Sequence, residues 1–152
     1  MNVDLMRRID YWAGMPLCAL VSGAFKLLPR RPAAEPRRVL LIELSEMGSV
    51  ILAEPAMRKL RRVFDAELHF AIFARNRSSL ALLKPVIDDN IFVIREDSLA
   101  HLAVDTLRFL VWMRKKRIDT VIDLELFSRF TALLTGLSGA ANRIGFHAFH
   151  TE

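Results

Sequence analysis

The sequence predicts an α/β fold, in which a Rossmann-like parallel sheet is flanked by helices. Residues 39–42 are four consecutive apolar residues, the pattern of a strand that is covered on both faces. From residue 39 onward, short apolar runs alternate with longer segments of helical periodicity, as expected of βαβ units. The chain has 152 residues, of which 53% are hydrophobic, which is enough to bury the core of one domain.

The predicted strands and helices alternate along the chain. The strands are short apolar runs at residues 39–42, 67–73, 91–94, 118–124 and 143–146. The helices between them repeat apolar residues every three or four positions, at residues 50–64, 78–83, 99–117 and 128–137. Right-handed crossovers in a chain that winds outward and then returns give the strand order 3-2-1-4-5. The first and fourth strands are therefore expected to be neighbours.

The helix at residues 99–117 has a recognisable start and end. Asp97 or Ser98 is expected to cap it, and the cationic residues 114–117 suit the negative end of its dipole. The apolar face predicted to pack on the sheet consists of Leu99, Leu102, Ala103, Leu107, Leu110 and Met113.

An uncharged segment precedes the sheet. Residues 11–25 contain no charged side chain and are too few to span a bilayer, which needs roughly 20. They predict an amphipathic helix, within residues 1–28, that lies in a membrane surface with Tyr11 and Trp12 among the headgroups. A signal peptide cleaved near the small residues 22–24 and a helix that packs on the domain are the alternatives. Residues 29–37 include three prolines and predict an extended linker to a domain at residues 38–152.

The positive charge is concentrated at this N-terminal end. Residues 1–38 contain seven Lys or Arg against three Asp or Glu, which gives +4, and the remaining fifteen against fourteen give +1 of the formal +5. The sheet domain therefore lacks the basic surplus of a nucleic-acid binder, and an anionic membrane surface is the expected partner. The single cysteine, Cys18, suits a reducing compartment. We expect a cytoplasmic protein, peripheral at the inner face of the plasma membrane.

The candidate site is the turn after the first strand. In open α/β sheets, ligands bind where the first strand ends and the strand order reverses. The turn at residues 45–49 contains Gly48, which permits a positive φ, and Ser49, which is expected to cap the next helix. The predicted strand order brings this turn beside the end of the fourth strand, where Asp123, Glu125 and Ser128 lie.

Several common sites are missing from the sequence. No glycine-rich dinucleotide fingerprint and no P-loop occurs. The four histidines are spaced without any metal-binding pattern, so no metal is expected. The paired acidic residues of a phospho-receiver domain are absent after the first strand. Carboxylates near the turn, chiefly Glu46 and Glu125, are the groups that could accept a proton from a hydroxyl.

Three stretches of the chain resemble the N-terminal half of glycosyltransferase family 9, the family of the ADP-heptose:lipopolysaccharide heptosyltransferases. They are residues 38–61, residues 117–125, and the following helix from residue 128, which ends in residues 137–140 and has residues 143–146 behind it. The resemblance implies a GT-B architecture, in which an N-terminal Rossmann-like domain holds the acceptor and a C-terminal one holds most of the nucleotide-sugar. The chain is therefore expected to be the acceptor-side portion of a larger transferase, inactive without the donor domain.

The resemblance also implies site residues. The family carries Met-Gly-Asp in the turn, with the Asp as general base, whereas this chain has Met47, Gly48 and Ser49. Because a serine hydroxyl is too weak a base at neutral pH, Glu46 or Glu125 is expected to take that role. The predicted catalytic residues are Glu46, Ser49 and Glu125, and the predicted acceptor-binding residues are Ser45, Met47, Gly48 and Ser128.

The implied substrates are a nucleotide-activated sugar of the ADP-heptose type and a lipopolysaccharide-type or lipid-linked glycan. No further cofactor and no nucleic acid is expected. The alternative from another class is a non-catalytic, membrane-tethered module that binds a ligand or partner in the same crevice, with Ser49 marking lost chemistry.

Overall fold

The protein is an α/β domain built on a five-stranded, all-parallel sheet of order β3-β2-β1-β4-β5. The computed structural model describes residues 11–12, 14–27, 32–45, 47–81, 86–126 and 128–146. The strands are β1 Arg38–Ile42, β2 Glu67–Phe73, β3 Ile91–Ile94, β4 Thr120–Asp123 and β5 Asn142–Ile144. The helices are α1 Gly14–Leu27, α2 Met47–Phe64, α3 Ser78–Ala81, α4 Leu99–Lys115 and α5 Arg129–Leu137. The predicted fold class and strand order are confirmed.

Strand β1 is the centre of the sheet and divides the core into two layers. Leu40 and Ile42 pack on one face with a cluster that includes Phe109 of α4. Val39 and Leu41 point to the other face, where Met57 of α2 belongs to the second cluster. Since successive side chains of a strand point to opposite faces, a run of four apolar residues is what a strand between two helical layers requires.

Helix α4 starts as predicted, and the predicted apolar face is confirmed in part. Ser98 caps it, with its side chain accepting a hydrogen bond from the His101 amide at 3.2 Å. Leu99, Ala103 and Leu107 were expected in the core but are exposed, Leu107 by 65%. The side chains that do pack on the sheet are the predicted Leu102, Leu110 and Met113, together with Phe109 and Trp112. Apolar residues occur all around α4, so spacing alone did not fix the face.

Phe109 belongs to a cluster of aromatic rings that joins helix α4 to the sheet. The Phe109 ring lies 5.2 Å from that of Phe92 on β3, and 6.0 Å from that of Trp112. Large aromatic rings bury more area than leucine, so they determine which side of the helix faces the sheet.

Helix α2 begins at Met47, two residues before the predicted cap. The expectation that Ser49 caps the helix is therefore wrong, and so is the expectation that Gly48 forms a positive-φ turn, because both lie in the first helical turn. Among the described glycines, only Gly139 has a positive φ, of 75°. Serine and glycine are tolerated in a first turn, where the amide groups have no intrahelical partner in any case.

The N-terminal helix α1 packs on α5. The Cys18 sulfur lies 3.8 Å from the Arg129 carbonyl oxygen, and the Arg129 guanidinium lies over the Tyr11 ring at 5.4 Å. A Cβ atom at Gly14 would lie 2.9 Å from the Arg129 Cβ, so a glycine is needed for this close approach. None of the helices in the described part of the chain is long and apolar enough to cross a bilayer.

The segment that joins α1 to the sheet is anchored at its C-terminal end. The Asn142 side chain accepts a hydrogen bond from the Ala34 amide and donates one to the Ala34 carbonyl. The Asp119 carboxylate accepts hydrogen bonds from the amides of Arg37 and Arg38, the latter at 2.8 Å. Residues 32–36 of the predicted linker contain no helix or strand, and these hydrogen bonds hold the segment against the amino ends of β1, β4 and β5.

Candidate functional site at the carboxyl edge of the sheet

The candidate site lies where β1 and β4 end side by side. Ile42 and Asp123 are partners in the register of these strands, so the segments that follow leave the sheet together. The Leu124 amide donates to the Ile42 carbonyl at 2.9 Å, and the Glu43 amide donates to the Ala71 carbonyl of β2 at 3.2 Å. We call residues 43–45 the β1 loop. It lies at the topological switch point, where the strand order reverses and open α/β sheets form their ligand-binding crevice.

Glu125 holds the β1 loop from the β4 side. Its Oε1 accepts hydrogen bonds from the backbone amides of Leu44 at 2.7 Å and Ser45 at 2.6 Å. Its Oε2 accepts a third from the Ser45 hydroxyl at 2.9 Å. Hydrogen bonds to a carboxylate are among the stronger ones in proteins, so this side chain fixes the loop's conformation. The predicted convergence of the turn with the end of the fourth strand is therefore observed, at Ser45 and Glu125.

Asn76 holds the same loop from the β2 side. Its side-chain amide donates to the Leu44 carbonyl at 2.8 Å, and the residue is buried. The backbone of Leu44 is thereby fixed by one side chain at its amide and by another at its carbonyl. Sequence reasoning missed Asn76. The sequence feature that could have indicated its role is its position, three residues after the end of β2, a strand that borders the site.

Asp123 is the most unusual carboxyl group of the site. It is buried at the end of β4, and its Oδ1 accepts a hydrogen bond from the Glu125 amide at 3.1 Å. Burial raises the pKa of Asp123 to about 6, although a hydrogen bond from Thr131 and the Glu125 amide oppose the rise. A carboxyl group with such a pKa exchanges its proton readily near neutral pH.

Gly145 covers one side of this carboxyl group. A Cβ atom at Gly145 would lie 3.3 Å from the Asp123 Cβ, closer than side chains usually approach. The glycine therefore lets the segment after β5 pass directly over Asp123, which contributes to its burial. The sequence pattern places Asp123 at the end of a strand but gives no signal of its burial or its pKa.

The other predicted residues lie around the crevice with different roles. Glu46 lies outside the described residues. Met47, Gly48 and Ser49 form the first turn of α2, and Gly48 is exposed with open space around it. Ser128 caps α5, where its hydroxyl accepts a hydrogen bond from the Thr131 amide at 3.3 Å. The structure brings Ser45 and Glu125 into contact, whereas the Ser128 hydroxyl is already engaged in the hydrogen bond that caps α5.

The polar edge continues to the ends of β2 and β3. Arg75 follows β2, with its guanidinium 5.7 Å from the Phe73 ring centre and its Nε 3.7 Å from Glu96 Oε1. Glu96 is buried after β3, and its Oε2 has no hydrogen-bond partner among the described residues. The carboxyl edge thus carries polar side chains at four neighbouring strands. Parallel sheets present ligand-binding groups at this edge.

No described group of three or more His, Cys, Asp or Glu residues is arranged to hold a metal ion. No protein-family model, no curated protein and no solved structure shows a significant match to the chain. The fold and the site together define a Rossmann-like α/β domain with polar side chains at its topological switch point.

Proposed function

We propose that this chain is the acceptor-binding domain of a glycosyltransferase that moves a sugar from a nucleotide-activated donor to a lipid-linked glycan. The observation that carries the proposal is the β1 loop, fixed by Glu125 and Asn76, beside a buried Asp123 whose pKa is about 6. A rigid loop positions an acceptor hydroxyl, and nearby carboxylates receive its proton. The family-9 resemblance of residues 38–61 supports the same assignment.

The proposed reaction is a direct displacement at the anomeric carbon of the donor. The acceptor hydroxyl oxygen forms the new glycosidic bond, the bond to the nucleoside diphosphate breaks, and a carboxylate takes the hydroxyl proton. Glu46 is our first choice for this base, because it lies in the turn that carries the base in family 9. The Glu125 oxygens already accept three hydrogen bonds from the β1 loop, so its proposed role is to position that loop.

The test is turnover by the complete product of the gene that encodes this chain. Nucleoside diphosphate release would be measured with a panel of activated sugars and lipopolysaccharide-core glycans. Glu46→Gln is expected to lower kcat by about 10²-fold or more, since general base catalysis contributes at least that much. The matched control is Glu35→Gln, an exposed carboxylate at the opposite edge of the sheet. Equal turnover of both variants would remove Glu46 as the base.

A second candidate is a module that binds a glycan without transferring it. It is favoured by the hydrogen bonds that occupy Glu125 and by Ser49 in the place of the family's aspartate. Glycan binding by the complete product without nucleotide release from any donor would establish this candidate and exclude the transferase.

A further inference from the structure

One face of α1 is exposed in the part of the chain that the structure describes. Gly14 and Cys18 contact Arg129 of α5, so this stripe of the helix is the docked face. The side chains on the remaining surface include Trp12, which is 75% exposed, and Leu20, which is 70% exposed. We call this surface the outer face of α1. Its large apolar members are Trp12, which precedes the helix, and Met15, Leu17 and Leu20 of the helix.

We propose that the outer face of α1 docks on an anionic lipid bilayer. Residues 11–25 contain no charged side chain, so no charge interrupts the face between Trp12 and Leu20. A tryptophan beside an apolar helix face is typical of proteins that lie in the headgroup region. Four of the five net positive charges belong to residues 1–38, which complements anionic headgroups.

The size of the face argues against a protein partner. A helix of 14 residues presents a face of about 21 Å by 10 Å. A stable protein interface buries roughly 800 Å² on each partner, so this face alone is too small for one. Insertion of a few large apolar side chains into a bilayer has no such requirement.

The docking of α1 also fixes how the bilayer lies relative to the candidate site. Arg129 is the first residue of α5 and follows the end of β4, so it lies at the carboxyl edge of the sheet. Tyr11 contacts Arg129, which brings the Trp12 end of the outer face to that edge. If the proposed transferase function holds, a bilayer bound here presents its lipid-linked glycans to the crevice.

Vesicle flotation tests the docking with the chain of 152 residues. Wild-type protein is expected to float with phosphatidylcholine vesicles that contain anionic phosphatidylglycerol, and to float less with pure phosphatidylcholine. Leu20→Glu and Trp12→Glu are each expected to lower the bound fraction about tenfold, because a charge must then enter the interface. Leu52→Glu is the matched control, since Leu52 is 82% exposed on α2, on the other face of the sheet.

Three results would overturn the inference. They are no flotation at any phosphatidylglycerol content, equal losses for the Leu20 and Leu52 variants, and a wild-type dimer that Leu20→Glu converts to a monomer without lipid binding. Circular dichroism checks that each variant is folded. Flotation is independent of sugar transfer, so a failed turnover assay leaves this test unaffected, and a failed flotation leaves the transferase proposal standing.

Discussion

At the scale of single residues, Asp123 links the chemistry of the site to stability. Its pKa is about 6 in the folded chain, against 3.8 as the ordinary value. A carboxyl group whose pKa is raised by folding stabilises the fold fully below its unfolded pKa, and this contribution is lost as pH rises through the folded pKa. At neutral pH the ionised Asp123 carboxylate therefore lowers the free energy of unfolding.

Asp123→Asn is expected to remove this cost. The wild-type free energy of unfolding should lose about 2 kcal/mol from this group between pH 4 and pH 7, while the variant should lose none of it. Urea unfolding of both proteins at the two pH values measures the difference. Asp105→Asn is the matched control, because Arg95 lowers the pKa of Asp105 to about 2 and its contribution to stability therefore changes mainly below pH 4 and is nearly constant over this range. Parallel pH dependences for wild type and Asp123→Asn would contradict the assignment.

At the scale of elements, the contact between α1 and α5 depends on one glycine. Gly14→Val places a Cβ atom 2.9 Å from the Arg129 Cβ. Overpacking of this kind costs about 1–3 kcal/mol, so α1 should separate from α5. Trypsin cleavage at Lys26 is expected to become about tenfold faster or more, measured by mass spectrometry.

The same helix supplies the control for this prediction. Gly23→Val adds the same side chain to α1, but a Cβ atom at Gly23 meets nothing within 4 Å. Valine has a higher helix propensity than glycine, so propensity by itself gives neither variant a reason to unfold. Equal acceleration of cleavage in the two variants would contradict the role of the Gly14 contact with Arg129.

The elements also show what the sequence could predict. Strand order followed from the buried run at residues 39–42 and from crossover handedness, because both depend on local patterns and general rules. The packed face of α4 followed only in part, since Leu107 and Phe109 are both apolar and only the neighbouring strand decides which of them is buried. The start of α2 at Met47 was missed because serine and glycine are equally compatible with a cap and a first turn.

Some features of the candidate site could be predicted from the sequence and others could not. Glu125 and Ser45 were placed together correctly, because adjacent parallel strands end at one edge. Asn76 was missed because its role depends on the Leu44 carbonyl, a backbone group that no side-chain pattern reveals. The pKa of Asp123 results from burial beneath the segment that contains Gly145, a contact 22 positions away in the sequence.

At the scale of the whole molecule, the N-terminal segment and the sheet form a connected structure. Helix α1 is held by Arg129, and the segment after it is held by Asn142 and Asp119. The N-terminal part is thus fastened at both its described ends. A surface on α1 therefore keeps a defined position relative to the crevice between β1 and β4.

The central claim is that this crevice binds an acceptor glycan. The most direct measurement is an amide NMR titration of the isotope-labelled chain with a soluble lipopolysaccharide-core oligosaccharide. Saturable shifts are expected at the amides of Leu44 and Ser45 and at the side-chain amide of Asn76. Glu125→Ala should abolish them, because the β1 loop loses the three hydrogen bonds that position it, while Glu35→Gln should retain them. Saturable shifts confined to other residues, or none at all, would contradict the account.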